Sequence, residues 1–383
     1  MWRWDLFCKV VDNYGDIGTC WRLAQQLAHE HSVTVRLWVD NLETFACLCP
    51  LISVDAAQQQ IGPIEIRRWT TDFPTVVVAD VVIEAFACEL PTCYIAAMAS
   101  RAVAPVWINL EYLSAETWVD GCHLLTSPHP RYPLIKSFFF PGFTPQTGGL
   151  LRERDLFQTR AMFDATAAEE FWQSVGISGV AADSRLNDLR DAPGEIRISL
   201  FCYENRALPE LLQCWADGPV AVRLMVLPGA ATEQTARWFG QSCLPDLPLC
   251  RDSLIVQALP FLSQARYDRL LWACDVNFVR GEDSFVRAQW AQRPFVWQIY
   301  PQAEDAHRVK LEAFLASYLA DSEVSNTVRR FWQAWNGIGN IADSWPDFVA
   351  NRLQIQQHAK VWAGQLDRAQ DLANNLICFA SGK

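Results

Sequence analysis

The sequence predicts an α/β protein of two Rossmann-like domains, each a mostly parallel sheet wrapped by helices. Three observations carry that prediction. Short apolar runs ending in polar residues alternate with segments of helical periodicity, which is the pattern of βα units. The apolar runs are nearly continuous rather than alternating, as strands covered by helices on both faces require. A chain of 383 residues exceeds what one core normally holds, and the βα pattern starts afresh near residue 196.

Taken in order, Leu6-Phe7-Cys8-Lys9-Val10-Val11 reads as a short buried strand. A tight loop, Asp12-Asn13-Tyr14-Gly15-Asp16-Ile17-Gly18, follows it, and Trp21, Leu23, Ala24, Leu27 and Ala28 then recur at helical spacing. Residues 33–39 and 64–69 read as strands, and 76–86 as a buried parallel strand with Glu84 at its C-terminal end. Residues 103–110 form another strand, with Asn109, Glu111 and Tyr112 at its end. The aromatic, Gly/Pro-rich stretch 138–149 reads as a loop, 161–175 as a helix, and 176–193 as a polar lead into the second domain. That domain offers strands at 196–203, 220–227, 254–259, 276–279 and 295–299, with helices at 266–274 and 285–291. A long helical tail spans 354–379. The expected division is 1–190 for the first domain, rejoined by a tail from about residue 360 to 383, and 191–359 for the second. Two such domains with a helical tail point to the GT-B architecture, two Rossmann-like domains facing a cleft.

Composition narrows the function. The net charge of −11 argues against nucleic-acid binding, which needs a basic face, and suits a small-molecule enzyme or a basic macromolecular partner. No run reaches membrane-spanning length. Thirteen cysteines form an odd set, and Cys8, Cys88, Cys202, Cys274 and Cys378 fall inside apolar runs, as reduced, buried thiols do. Cys47-Leu48-Cys49 lacks zinc-ligand spacing. The expectation is a cytoplasmic protein with no structural zinc, no membrane and no nucleic-acid partner.

Two loops carry candidate chemistry. In the first, Gly15 and Gly18 let the backbone turn and approach a ligand, and the helix N-terminus offers N–H groups. Asp12 and Asp16 lie at the C-terminal end of the strand, where open α/β sheets bind ligands. The same residues also fit an ordinary turn in which Asp16 favours the helix N-terminus. The second loop, Arg280-Gly281-Glu282-Asp283-Ser284, repeats the arrangement. A diphosphate calls for helix N-terminal amides and an arginine fork. Ser284 and Phe285 offer amides, Ser284 a hydroxyl and Arg280 the fork. Glu282 and Asp283 are odd beside a phosphate, unless one holds sugar hydroxyls and the other caps the helix or orients the site. An N-cap with a solvated arginine is the alternative. Tyr203 ends the strand at 196–203, and Phe261 and Gln264 follow another strand within reach of a nucleotide base. There is no G-x-G-x-x-G, no P-loop, no G-x-S-x-G and no metal-binding D-x-D, and His123, His129 and His307 have no triad spacing.

FCKVVDNYGDIGTCWRLAQQLA (7–28) and NFVRGEDSFVRAQWAQRPFVWQIYPQ (277–302) resemble the bacterial elongation factor P arginine rhamnosyltransferases, the EarP family. So do VVIEAFACELP (81–91), WINLEYLSAE (107–116), FFFPGFTPQTGGLLRE (138–153) and SLFCYEN (199–205), and the resemblance spans nearly the whole chain. It implies inverting transfer of L-rhamnose from dTDP-β-L-rhamnose to an arginine of elongation factor P; no cofactor is expected, and the missing D-x-D leads to the expectation that no metal is needed. It also implies that the last helix crosses back to the N-terminal domain. By match to D-N-x-G-D-I-G, Asp16 is the implied general base, with Asp12 and Glu282 orienting guanidinium or base. Tyr203, Phe261, Gln264, Arg280, Asp283 and Ser284 are implied in donor binding, together with Asn13, Tyr14, Gly15 and Gly18 of the first loop. The partner is expected to be the folded acceptor domain of elongation factor P, docking near Asp12, Asp16, Glu84 and Glu111. Two rivals are a GT-B transferase with a small-molecule or lipid acceptor, and a non-catalytic binder of the factor or nucleotide. The intact Asp12, Asp16 and Glu282 set favours an enzyme.

Overall fold

The structure, a computed structural model, describes residues 2–12, 14–177, 195–301 and 306–382. The chain divides into two compact units, Met1–Leu156 with Leu366–Lys383, and Phe157–Gln365.

Among the described residues, unit 1 holds an eight-stranded sheet ordered β3-β4-β2-β1-β5-β6-β8-β7. Its strands are β1 (Arg3–Cys8), β2 (Thr34–Val39), β3 (Gln58–Ile61), β4 (Ile64–Arg68), β5 (Val81–Ala85), β6 (Val106–Leu110), β7 (Thr126–Pro128) and β8 (Ile135–Phe139). The six inner strands run parallel, and β3 and β7 are antiparallel edges. The chain moves outward from β1 to β2 and β4, then returns to β5 on the other side of β1 and continues to β6 and β8. The strand order therefore reverses between β1 and β5, and such a switch point leaves a crevice at the C-terminal strand ends. The first helix, Tyr14–Glu30, packs Ile17, Cys20, Leu23, Ala24 and Leu27 on this sheet.

The first strand ends at Cys8, earlier than its apolar run predicts. The Val10 N–H turns to Asp40 Oδ1 at 2.9 Å and the Val11 N–H to Asp16 Oδ2 at 2.8 Å, so neither joins a strand ladder. Conversely, the aromatic stretch expected to be all loop opens inside β8, because Phe138 and Phe139 pair with β6. The loop begins at Phe140.

Unit 2 holds a six-stranded sheet, ordered β11-β12-β10-β9-β13-β14 among the described residues. The strands are β9 (Ile196–Leu200), β10 (Val222–Val226), β11 (Leu249–Arg251), β12 (Leu254–Ala258), β13 (Val276–Arg280) and β14 (Phe295–Gln298). Only β11 is antiparallel. The order reverses between β9 and β13, a second switch point.

The expected boundary at 190 falls in residues outside those described. Residues 157–177, assigned from sequence to the first domain, belong instead to unit 2. Phe157 packs edge-on against Trp290 at 5.8 Å, Phe163 against Trp272 at 5.5 Å, and Arg160 Nε donates to the Ala291 carbonyl at 2.8 Å. The tail is two helices, Arg352–Leu366 and Leu372–Ser381, rather than one, broken where Asp371 caps the second. The first stays with unit 2 through Trp362 Nε1 and Gln289 Oε1 at 2.8 Å. The second returns to unit 1, where Leu372, Ala373, Leu376 and Ala380 join the core. The Leu372 N–H meets the Leu150 carbonyl at 2.9 Å, and Gln26 Nε2 bridges Asp371 Oδ1 at 3.0 Å and the Arg152 carbonyl at 2.7 Å.

All thirteen cysteines are free thiols, six of them buried: Cys8, Cys20, Cys49, Cys88, Cys202 and Cys274. Cys378, expected inside, is exposed, because it lies on the outer face of the last helix. Among the described residues no helix is long and apolar enough to cross a membrane.

Candidate active site

Each candidate loop sits at one of the two switch points. In unit 1, β1 leads into residues 9–16, β5 into Phe86, and β6 into Glu111 and Tyr112. The register Phe7 to Glu84 and Ala85 to Leu110 brings these three strand ends side by side. The loop closes on itself, with the Gly15 N–H donating to the Asp12 carbonyl at 2.7 Å. A Cβ on Gly15 would stand 2.7 Å from Asp12 Oδ2, so a side chain there would displace the Asp12 carboxylate. Asp16, in the first helical turn, is only 2% exposed. Its Oδ2 accepts the N–H groups of Val11 and Asp12, each at 2.8 Å, and its Oδ1 accepts the Tyr112 hydroxyl at 3.1 Å. These bonds fasten the turn, as the alternative of an ordinary turn expects, and they fix the carboxylate at the C-terminal strand ends, where open α/β sheets bind ligands. Asp12, Tyr14 and Gly15 are half-buried and Gly18 is buried within the helix. Asn13 lies outside the described residues.

Glu84, expected near the acceptor, is buried near the end of its strand. It is 2% exposed, and it accepts from Trp107 Nε1 at 3.1 Å, Lys136 Nζ at 3.2 Å and the Glu89 N–H at 3.1 Å. Glu111, half-buried, accepts from Asn109 Nδ2. His123, left without a role by sequence, accepts the Phe140 N–H at 3.1 Å, and burial lowers its pKa.

In unit 2, Arg280 ends β13, and Phe201 to Tyr203 follow the adjacent β9, since Tyr203 lies three residues beyond the strand rather than at its end. The Arg280 guanidinium carbon lies 4.4 Å from both the Phe201 and Tyr203 ring centres. Two aromatic faces thus hold a planar cation in place, an arrangement that favours Arg over Lys. Its Nε is buried without a hydrogen-bond partner among the described residues. At the intervening position in the sequence, burial pushes the Cys202 thiol up to about 12 despite the nearby Arg280 charge, so it stays protonated.

The helix Asp283–Trp290 starts directly after this arginine. Glu282 occupies its N-cap position, yet its side chain makes no capping bond, so of the two expected roles, capping or orienting the site, capping does not fall to Glu282. Asp283 instead accepts from Gln264 Nε2 at 3.3 Å, joining two expected site residues from separate helices. Ser284 is buried, and its hydroxyl turns back on the strand end, donating to the Arg280 carbonyl and accepting the Arg280 N–H at 3.2 Å. It anchors the turn through the Arg280 backbone. Phe261 is half-buried beside the start of the Gln264–Ala273 helix.

Several residues in these clusters went unassigned by sequence. Trp297 Nε1 donates to the Gly281 carbonyl at 3.0 Å while its ring stacks on Phe285 at 4.0 Å. Gln298 bridges the Tyr203 N–H at 2.9 Å and the Glu204 carbonyl at 3.2 Å, and Tyr300 packs edge-on to Tyr203 at 5.2 Å. Phe201 and Tyr112 complete the set. The available signal was positional: all lie at or just beyond the C-terminal ends of parallel strands. Among the described residues no group of three His, Cys, Asp or Glu side chains is arranged to hold a metal ion.

Two Rossmann-like units, each with a polar loop at its switch point and one with an arginine at a helix start, define a glycosyltransferase of the GT-B architecture. A kitacinnamycin glycotransferase structure shares this fold over 99% of the chain and 98% of its own, at TM-score 0.50 and 10% identity. The model of the family "Elongation-Factor P (EF-P) rhamnosyltransferase EarP" matches residues 4–381, and the chain belongs to that family. It is 47% identical to the protein-arginine rhamnosyltransferase of Pseudomonas putida over 98% of both chains, and 46% identical to that of Pseudomonas aeruginosa over 99% of both. A structure solved for EarP-mediated arginine glycosylation of translation elongation factor EF-P superposes at TM-score 0.70 with 33% identity, covering both chains fully.

Proposed function

We propose that this enzyme transfers L-rhamnose from dTDP-β-L-rhamnose to a side-chain nitrogen of an arginine on elongation factor P, with inversion. The observation that carries the reading is the occupation of the two switch points: a fixed carboxylate in unit 1, and an aromatic-clamped arginine at a helix start in unit 2. Family membership supports rhamnose as the sugar and an arginine of elongation factor P as the acceptor. A guanidinium is planar and keeps its proton at any ordinary pH, so it is a poor nucleophile until a base takes that proton. In this reading Asp16 accepts the proton as the nitrogen bonds the anomeric carbon, and the bond from that carbon to the β-phosphate oxygen breaks. Asp12 and Glu282 orient guanidinium or base. Arg280 and the amides opening the Asp283–Trp290 helix neutralise the departing diphosphate. Tyr203, Phe261, Gln264 and Asp283 serve the nucleotide, and no metal or cofactor takes part.

The test mixes purified enzyme, the folded acceptor domain of elongation factor P and dTDP-β-L-rhamnose, with and without chelator. The expected product carries one deoxyhexose on a single arginine as the α-anomer, read by intact mass and by proton–carbon coupling, at equal rates in both arms. An unmodified factor overturns the acceptor, a β-product overturns inversion, and loss with chelator restored by magnesium overturns the metal-free route.

A further inference from the structure

We propose that Tyr112 is a positioning residue for Asp16, held in place by Phe86; the inference rests on the reading of Asp16 as the base. An ionised carboxylate offers about four acceptor directions. In Asp16 the backbone of Val11 and Asp12 fills two on Oδ2, each at 2.8 Å, and Tyr112 fills one on Oδ1 at 3.1 Å. The remaining direction lies on Oδ1. Tyr112 therefore decides which way the open lone pair points, and a proton acceptor works only when that direction meets the proton.

Tyr112 is 40% exposed, so burial alone does not fix its ring. The Phe86 ring does, stacked on it at 4.4 Å between centres and 14° between planes. Phe86 begins a backbone segment that non-glycine residues avoid, with φ of 54° at Phe86, 52° at Ala87 and 57° at Glu89. Such a conformation persists only when surrounding bonds over-determine it, and it concentrates at functional sites. Here the Phe86 N–H meets the Leu110 carbonyl at 2.7 Å, and the Cys88 N–H meets the Ala85 carbonyl at 3.1 Å. The buried Glu84 takes the Glu89 N–H at 3.1 Å. The strained turn after β5 thus aims Phe86 at the residue that aims Asp16.

Tyr112→Phe removes the hydroxyl and keeps the stack. The expected result is a kcat lower by about tenfold, the size of one hydrogen bond to a charged group, with KM for acceptor and donor unchanged within about twofold. Melting should not change. Phe86→Leu should lower kcat in the same way, and Phe86→Trp, which restores a flat ring, should recover most of it. An unchanged kcat in Tyr112→Phe overturns the proposal. So does a raised acceptor KM with kcat retained, because Tyr112 would then bind the acceptor directly. Wild-type enzyme runs alongside: if it leaves elongation factor P unmodified, the rhamnosyltransferase reading fails by itself. The brace is then read from amide exchange at Val11 and Asp12, faster in Tyr112→Phe if Tyr112 holds Asp16 and equal to wild type if it does not.

Discussion

Asp16, with both carboxylate oxygens engaged and 2% of its surface exposed, is built into the turn as firmly as a structural residue. Asp16→Asn keeps one oxygen for the Val11 and Asp12 amides and a nitrogen that faces the Tyr112 hydroxyl, so the loop should survive. Transfer should fall by about 10²–10⁴-fold, the range for a general base, while calorimetry shows unchanged dTDP affinity. Turnover at the wild-type rate would remove Asp16 from the chemistry. Arg280 belongs to the other unit and should act on affinity. Arg280→Ala should weaken dTDP by about 1.5–3 kcal/mol, a charge-assisted contact. Arg280→Lys should recover only part of this, because an ammonium does not fill the planar slot between Phe201 and Tyr203. A lysine variant with full affinity would show that charge alone matters there.

At the scale of elements, the helices Gln264–Ala273 and Asp283–Trp290 are joined by a two-rung ladder. Gln264 meets Asp283 at 3.3 Å, and one helical turn further on Arg287 grips Asp268 with Nε at 3.0 Å and Nη2 at 2.7 Å. The Arg287 and Asp268 side chains are 3% and 8% exposed, so the lower rung is a buried ion pair. Breaking such a pair leaves an uncompensated charge, and Arg287→Ala should cost about 3–5 kcal/mol in urea unfolding. Asp268→Leu with Arg287→Met should cost far less than the two single changes together, since no charge remains. Additive losses would mean that each residue is held by something else. The last helix gives a second element-scale prediction. Leu376 is fully buried in the unit 1 core. Leu376→Ala should cost about 2–5 kcal/mol, the usual range for a core leucine, read by thermal melting.

For the whole molecule, the net charge of −11 favours encounter with a basic surface. A free arginine or a linear peptide offers the nucleophile without the surface that positions it, and positioning can supply about 7–11 kcal/mol of a bimolecular barrier. The folded acceptor domain should therefore be modified much faster than a linear peptide carrying the same loop. Association with the domain should slow as salt rises, because exposed charges are screened beyond about 8–10 Å. Equal rates on the two substrates would favour a small acceptor. Of the residues expected near the docking surface, Asp16 and Glu84 are buried and Asp12 and Glu111 are half-buried.

The sequence by itself determined the order of strands and helices, the two glycine-bearing loops and the residues most worth testing in them, because periodicity and turn chemistry are local properties. It also determined that a tail would return, through family resemblance rather than through any periodic signal. Tertiary structure decided the rest. Asp5 and Arg36 interrupt apolar strands without explanation until the β1–β2 register sets them opposite each other, with Arg36 Nε 2.8 Å from Asp5 Oδ1. Residues 161–175 read as a helix of the first domain, and only the packing of Phe157 on Trp290 and Phe163 on Trp272 assigns this stretch to unit 2. Glu84 looked like a site carboxylate at a strand end until Lys136 and Trp107 closed over it. Asp16 was legible from its loop, whereas its partner Tyr112 lies 96 positions away. That pairing exists because β1, β5 and β6 are neighbours in the sheet, and strand order is fixed by long-range burial that no local stretch of sequence encodes.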